Sequence, residues 1–240
     1  MRVAVLSDIH SNAPALEAAL EAVGAVEQVW VLGDMVGYGP HPDRVIERLR
    51  ALEAVAVQGN HDAAVLGSIP TGTFNDLARR AVEWRAETMS ETNLEWLAEQ
   101  PETRVEGDFT LVHGSPRDPI WEYLFSVPAA RINLGAFETP YCAVGHTHRQ
   151  LAFVDEQGQV EALLAEDGDT FSLDERRCIL NPGSVGQPRD GDPRACAMTI
   201  DTDRHEVTWL RFDYDIKAVQ QDIRELPLPG RLADRLELGV

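Results

Sequence analysis

Apolar residues along this chain come in short blocks that stop abruptly at polar ones. Val3 to Leu6 is a continuous apolar run closed by Ser7 and Asp8, and Val29 to Leu32 runs straight into Gly33 and Asp34. Runs of this kind predict strands buried on both faces. Between them Leu16, Ala19, Leu20 and Val23 recur at helical spacing. Asn12 can cap that helix, Pro14 suits its first turn and Gly24 ends it. The pattern then repeats. Pro42 to Leu52 is amphipathic, with Val45, Ile46 and Leu49 on one face, and Val55 to Val57 leads into Gly59-Asn60-His61-Asp62. Such alternation of strand and helix predicts parallel βαβ units.

Two more helices are expected at Asn75–Met89 and Asn93–Gln100. The character then changes to short strand-like runs: Phe109–Val112, Tyr141–Val144, Leu151–Val154, Val160–Leu164, Ile179–Leu180, Ala195–Ile200 and Val207–Phe212. Asp215 to Leu226 reads as a closing helix, and Pro227–Gly230 opens a tail whose order the pattern does not define. No repeat, low-complexity tract or linker interrupts the chain. The expectation is one domain over residues 1–240, of mixed α/β (α+β) class, with a sheet sandwich flanked by helices. Residues 116–140 carry the least pattern and read as a lid or an insertion.

Composition narrows the function. Forty acidic against 21 basic residues give a formal charge of −19, which disfavours sequence-independent binding to nucleic acid or to anionic membranes. An anionic substrate then needs local cations to reverse the field. The three cysteines, Cys142, Cys178 and Cys196, are odd in number and lie among small or apolar residues. They read as buried strand filler in a reducing compartment rather than as a disulfide framework. Only four apolar residues, Val3 to Leu6, separate Arg2 from Ser7, too few for a signal-peptide core, and no run approaches the ~18 residues of a membrane helix. A cytoplasmic protein is expected.

Five clusters follow strand-like runs and carry metal-capable side chains: Asp8-Ile9-His10, Gly33-Asp34, Gly59-Asn60-His61-Asp62, His113-Gly114 and Gly145-His146-Thr147-His148. Five of the seven histidines lie in them. Loops at the carboxyl ends of strands in an α/β sheet converge on one crevice, so these clusters can meet in space. Asp8, Asp34 and Asn60 offer oxygen, and His10, His113, His146 and His148 offer nitrogen. Mixed donors without thiolate suit Mn²⁺, Fe, Co²⁺, Ni²⁺ or Zn²⁺. Seven donors exceed one tetrahedral ion and suit two divalent cations sharing the Asp34 carboxylate, a known arrangement for phosphoester hydrolysis at ~3.5–4 Å separation. A hydroxide bridging the two cations would be the nucleophile. His61 is a candidate general acid for the leaving oxygen. His41 and His205 lie outside the clusters and read as surface residues. Trp121, Tyr123 and Phe125 read as lid or core packing rather than as a base-stacking platform.

The set Asp8-x-His10, Gly33-Asp34, Gly59-Asn60-His61-Asp62, His113 and Gly145-His146-x-His148 resembles the calcineurin-like metallophosphoesterase superfamily. The resemblance spans residues 8 to 148 in the family order. It implies a four-layered fold in which a β-sandwich is flanked by helices. It also implies one cation held by Asp8, His10, Asp34 and His148, a second held by Asp34, Asn60, His113 and His146, and proton donation by His61. Protein phosphatases of the family continue past the bridging Asp in a pattern like G-D-x-V-D-R-G. Here Gly37 and Tyr38 stand in place of the acid and the Arg, which argues against a phosphoprotein substrate. The "GDMVGYGPHP" run and Asn181-Pro182-Gly183-Ser184-Val185-Gly186-Gln187-Pro188-Arg189 resemble the small prokaryotic phosphodiesterase-like branch. There the Asn-Pro-Gly-Ser turn lies close to the metal centre, although a purely structural tight turn is an equal reading. Arg189 is a candidate phosphate ligand, with Asn60 and His61 as further substrate contacts. The expected activity is a phosphodiesterase on a small nucleotide-like substrate. The alternatives are a phosphomonoesterase or phosphoprotein phosphatase of the same fold, or a non-catalytic scaffold of that fold.

Overall fold

The computed structural model describes residues 1–240. The first third alternates as its apolar pattern demands: β1 (Arg2–Leu6), α1 (Ala13–Val23), β2 (Gln28–Leu32), α2 (Pro42–Ala51), β3 (Val55–Val57) and the short α3 (Asn60–Val65). Asn12 caps α1 by accepting a hydrogen bond from the Ala15 amide at 3.2 Å, and Gly24 leaves the helix at φ +68°. α4 (Asp76–Thr88) and α5 (Glu91–Ala98) complete the helical part. Strands then dominate: β4 (Thr103–Glu106), β5 (Phe109–Val112), β6 (Tyr141–Ala143), β7 (Gln150–Glu156), β8 (Gln159–Leu164), β9 (Thr170–Ser172), β10 (Cys178–Pro182), β11 (Ala195–Asp201) and β12 (Glu206–Phe212). α6 (Val127–Asn133) lies between β5 and β6, and α7 (Ile216–Arg224) and α8 (Arg231–Asp234) follow β12.

The strands form two six-stranded sheets, ordered β3-β2-β1-β11-β12-β9 and β4-β5-β6-β10-β7-β8. β1, β2 and β3 pair in parallel, as do β5, β6 and β10, and the flanking strands are antiparallel. Because side chains alternate across a strand, each buried run serves two cores. Val3, Val5, Trp30 and Leu32 point at Leu111, Ala143, Val154 and Leu180 of the facing sheet. Ala4, Leu6, Val29 and Val31 point the other way, onto Leu16, Ala19, Val45 and Ile46 of α1 and α2. On the outer face of the second sheet, Ala130, Leu134 and Phe137 cover Val112, Cys142, Val144 and Ile179. The result is four layers, helix–sheet–sheet–helix, as the family resemblance implied. No helix is long and apolar enough to cross a membrane.

Several features were not legible in the pattern. β4 and β9 sit at sheet edges with little apolar content, and α3 and α6 have too few turns to show periodicity. The stretch after Pro227 is ordered structure. α8 and a 3₁₀ turn at Arg235–Leu238 fold back so that Leu232, Ala233 and Leu236 pack with Val219 and Ile223 of α7 against Ala78 and Ala81 of α4. The 116–140 segment buries Ile120 and Leu124 and supplies α6.

Candidate metal centre

All five clusters emerge at one edge of the facing sheets, each just beyond the carboxyl end of a strand: Asp8 after β1, Asp34 after β2, Asn60 after β3, His113 after β5 and His146 after β6. The chain pays for this convergence in its backbone. Of the nine non-glycine residues with positive φ, five are candidate ligands: Asp8 (+52°), His10 (+48°), Asp34 (+51°), His146 (+64°) and His148 (+58°). Such left-handed conformations cluster at functional sites, and Asp and His tolerate them better than most residues. Gly59 has no room for a side chain, since a Cβ there would stand 2.2 Å from Asp34 Oδ1.

Each buried carboxylate divides its two oxygens between support and site. Asp8 Oδ2 accepts from Ser7 Oγ at 2.7 Å and from the His146 amide at 3.0 Å, while Oδ1 is buried without a donor. Asp34 Oδ1 accepts from the His61 amide at 2.8 Å. Asp34 Oδ2 lies 3.6 Å from His10 Nε2 and 3.5 Å from His113 Nε2, midway between two groups of donors. One group is Asp8, His10 and His148; the other is Asn60, His113 and His146.

The imidazoles test whether cations fit here. His10, His113 and His148 turn Nδ1 to the carbonyls of Val36, Leu32 and Gln187. A carbonyl can only accept, so each Nδ1 carries hydrogen and each neutral ring presents a lone pair at Nε2. Burial keeps all three rings, with His146, below the usual histidine range and therefore neutral. Lone pairs thus face one another: His10 Nε2 and His148 Nε2 are 3.3 Å apart, and His148 Nε2 is 3.0 Å from Asp8 Oδ1. Across Asp34, His113 Nε2 lies 3.1 Å from Asn60 Oδ1 and 2.9 Å from His146 Nδ1. His10 Nε2, His148 Nε2 and Asp8 Oδ1 on one side, and His113 Nε2 with Asn60 Oδ1 on the other, are opposed acceptors, and they fit a cation on each side of Asp34 Oδ2. Burial, together with the negative charges of Asp8 and Asp62, raises the Asp34 carboxyl well above its ordinary value. Positive charge nearby would relieve that.

His61 borders the same space. Its ring packs edge-on against His10 (centroids 4.8 Å) and tilted on Tyr38 (4.6 Å), and Nδ1 is buried with no partner. Burial, then the neighbouring Arg189, keeps this imidazole well below its usual range. Tyr38 and Gly37 occupy the positions where the phosphatase pattern has Arg and an acid. A cation reaches the site from another loop: the Arg189 guanidinium lies 5.7 Å from the Tyr38 ring, with Nη2 donating to Gln187 Oε1 at 3.0 Å and Nε buried without a partner.

The remaining motif residues brace the ligands. Asn181 Nδ2 donates to Gly145 O at 2.7 Å and to Thr147 Oγ1 at 3.0 Å, on either side of His146. Ser184 Oγ donates to Asp8 O at 2.9 Å. The Asn-Pro-Gly-Ser turn is therefore both structural and adjacent to the centre. Asp62 accepts from the Gly59, Met35 and Val36 amides at 3.0–3.3 Å and ties the Asp34 loop to α3. Buried Arg85 donates through Nε to Gly37 O at 3.2 Å and through Nη2 to Gly39 O. Nothing in the sequence marked Arg85, because it sits among helical residues far from every motif. Of the histidines outside the clusters, His205 is exposed, whereas His41 is half-buried and 2.9 Å from Asp222, so only the first is a plain surface residue.

A cavity of about 400 Å³ opens beside the centre, lined by Asp34, Asn60, His61, His146 and His148 at its floor, and by Arg189. Tyr123 from the 116–140 segment stacks on His146 (3.7 Å, 20°), Phe125 stacks on Tyr123 (5.3 Å, 7°), and Trp121 lines the cavity wall. These aromatics are half-buried or exposed around the site rather than filling the core.

A family model described as the calcineurin-like phosphoesterase superfamily domain matches residues 1–205. An uncharacterised protein of Methanocaldococcus jannaschii is 36% identical over 246 aligned positions, covering 99% of this chain and 98% of that protein. The crystal structure of a metallophosphoesterase from Sphaerobacter thermophilus superposes with a TM-score of 0.92 at 43% identity, covering 100% of this chain and 99% of the other. A hypothetical protein from Pyrococcus horikoshii OT3 shares the fold, with a TM-score of 0.83 at 21% identity over 100% and 98% of the two chains.

Proposed function

We propose that this chain, which belongs to the calcineurin-like phosphoesterase superfamily and is therefore a metal-dependent phosphoester hydrolase, acts on a small, nucleotide-like phosphodiester through a two-cation centre. The observation that carries the two-cation reading is the position of Asp34 Oδ2, 3.6 Å from His10 Nε2 and 3.5 Å from His113 Nε2, with opposed lone pairs on both sides. Asp8, His10, Asp34 and His148 would hold one cation, and Asp34, Asn60, His113 and His146 the other. When bound, two divalent cations supply an activated water nucleophile and neutralise charge on the phosphate oxygens. The donor set suits Mn²⁺, Fe, Co²⁺, Ni²⁺ or Zn²⁺.

The side chains around that centre do the rest. Arg189 is the one cationic side chain among the residues lining the cavity, and it orients a phosphate oxygen by charge-assisted hydrogen bonding. A monoester dianion carries one more charge than a diester, and the arginine that phosphatases place after the bridging Asp is replaced here by Tyr38. The cation count therefore favours the diester. His61 serves the leaving oxygen as proton donor: an anion entering beside it raises its proton affinity, opposing the effects of burial and Arg189. Tyr38 and Phe74 hold its ring from two sides.

The test is hydrolysis by chelator-stripped protein restored with Mn²⁺, comparing bis-p-nitrophenyl phosphate with p-nitrophenyl phosphate. Mn²⁺-dependent release with the diester preferred supports the reading. Preference for the monoester overturns the diester assignment, and metal-independent release overturns the centre.

A further inference from the structure

From His61, which packs on His10, further aromatic rings continue along the cavity. Phe74 meets His61 edge-on (5.1 Å, 88°), and Trp121 meets Phe74 (5.3 Å, 62°). The two residues come from unrelated segments, one beside the 3₁₀ turn Thr71–Thr73 and one from the 116–140 stretch, yet both line the same cavity. Tyr123 is differently placed. His146 and Phe125 both stack on it, so it closes the cavity without offering a free face. Trp121 is left as the large ring available to a ligand. Beside it at the rim stands Asn75, whose Oδ1 accepts from the Leu77 and Ala78 amides as the cap of α4. That commitment leaves the Asn75 amide nitrogen free to donate, and Asn75 lines the cavity.

We propose that Trp121 and Phe74 form a stacking subsite for the nucleobase of a nucleoside phosphate, with Asn75 donating to an acceptor on the base edge. This inference rests on the reading of the adjoining centre as a phosphoesterase site. The wall begins at His61, so the base lies on the side where the leaving group departs. Within this cavity Arg189 is the cationic side chain, so the ligand's phosphate belongs with Arg189 at the centre and its uncharged planar end is the part the aromatic wall can accept. Base–aromatic stacking changes affinity by about five- to 150-fold on alanine substitution and tolerates different bases.

The test is binding to the Mn²⁺-loaded full chain, followed by calorimetry so that it does not depend on turnover. Adenosine 5′-monophosphate, uridine 5′-monophosphate, ribose 5-phosphate and phenyl phosphate share one phosphate and differ in what it carries. Both nucleotides are expected to bind about tenfold or more tightly than ribose 5-phosphate. That ratio should fall toward one in Trp121→Ala and Phe74→Ala and be largely kept in Trp121→Phe, which guards against a mere folding defect. Equal binding of nucleotide and ribose phosphate, or a ratio unmoved by the alanine variants, overturns the subsite. Phenyl phosphate binding as tightly as the nucleotides overturns the nucleobase in favour of a simple aryl ester. Hydrolysis of bis-p-nitrophenyl phosphate in parallel separates the two ideas: a base preference without hydrolysis sinks the enzyme reading alone, and hydrolysis without a base preference sinks this one.

Discussion

A Cβ added at Gly37 would stand 2.6 Å from Nδ1 of His61 and 3.0 Å from Nδ1 of His10. Gly37 also has φ +123°, a conformation that side chains rarely adopt. The position where phosphatases of this superfamily carry an acid is therefore closed to any side chain here. Gly37→Asp does not rebuild a carboxylate–imidazole pair. Both Gly37→Ala and Gly37→Asp are expected to lower kcat at least tenfold and to cost roughly 1–3 kcal/mol of stability through overpacking and backbone strain. Steady-state kinetics and thermal melts check this; a gain in activity for Gly37→Asp contradicts it.

Arg189 supplies from the β10–β11 loop the cation that position 38 lacks. Arg189→Ala is expected to lower kcat/KM for bis-p-nitrophenyl phosphate by about 10²-fold, the loss of a charge-assisted contact to the reacting group. Arg189→Lys restores little, because a lysine lacks the planar fork. Full activity in Arg189→Ala removes it from the site.

Asn181 is outside the candidate ligand set, yet it holds the carbonyl of Gly145 and the hydroxyl of Thr147 around His146. Asn181→Leu is expected to weaken metal affinity about 10- to 100-fold, the usual effect of losing an outer support. Titration of metal-free protein with Mn²⁺ measures it, and circular dichroism shows whether the fold survives. Unchanged affinity assigns the turn to structure alone.

The cysteines give a pH prediction. Cys142, Cys178 and Cys196 are all fully buried, and burial pushes the Cys178 and Cys196 thiols up to about 12. A thiol reagent at pH 8 should label none of them in the native protein and all three in denaturant. Once unfolded, these thiols ionise near 8.5, so between about pH 9 and 12 the unfolded chain releases protons that the folded one retains. Stability then falls with rising pH, by about 1.4 kcal/mol per pH unit for each thiol. Rapid native labelling would show that these strands open.

The convergence of the candidate ligands was legible because each sits where an apolar run meets a polar cluster, and the same runs that fill the two cores aim those ends at one edge. The layers followed for the same reason: Val3 to Leu6, apolar throughout, needed partners on both faces. What escaped depends on tertiary proximity. Arg85 reaches Gly37 and Gly39 from α4, and Trp121 and Phe74 meet across 47 positions of sequence. Neither carries a local pattern. The closing tail shows no periodicity because its apolar residues, Leu232, Ala233 and Leu236, span less than one and a half turns.

Asp34 stands where two cations would share its carboxylate. Calorimetric titration of chelator-stripped protein with Mn²⁺, on the wild type and Asp34→Asn, tests it most directly. Two Mn²⁺ per chain are expected for the wild type, and for Asp34→Asn the loss of at least one, together with a fall in bis-p-nitrophenyl phosphate hydrolysis of about 10²-fold or more. A wild-type stoichiometry of one or none, or an Asp34→Asn protein that still binds two ions and turns over normally, would contradict it.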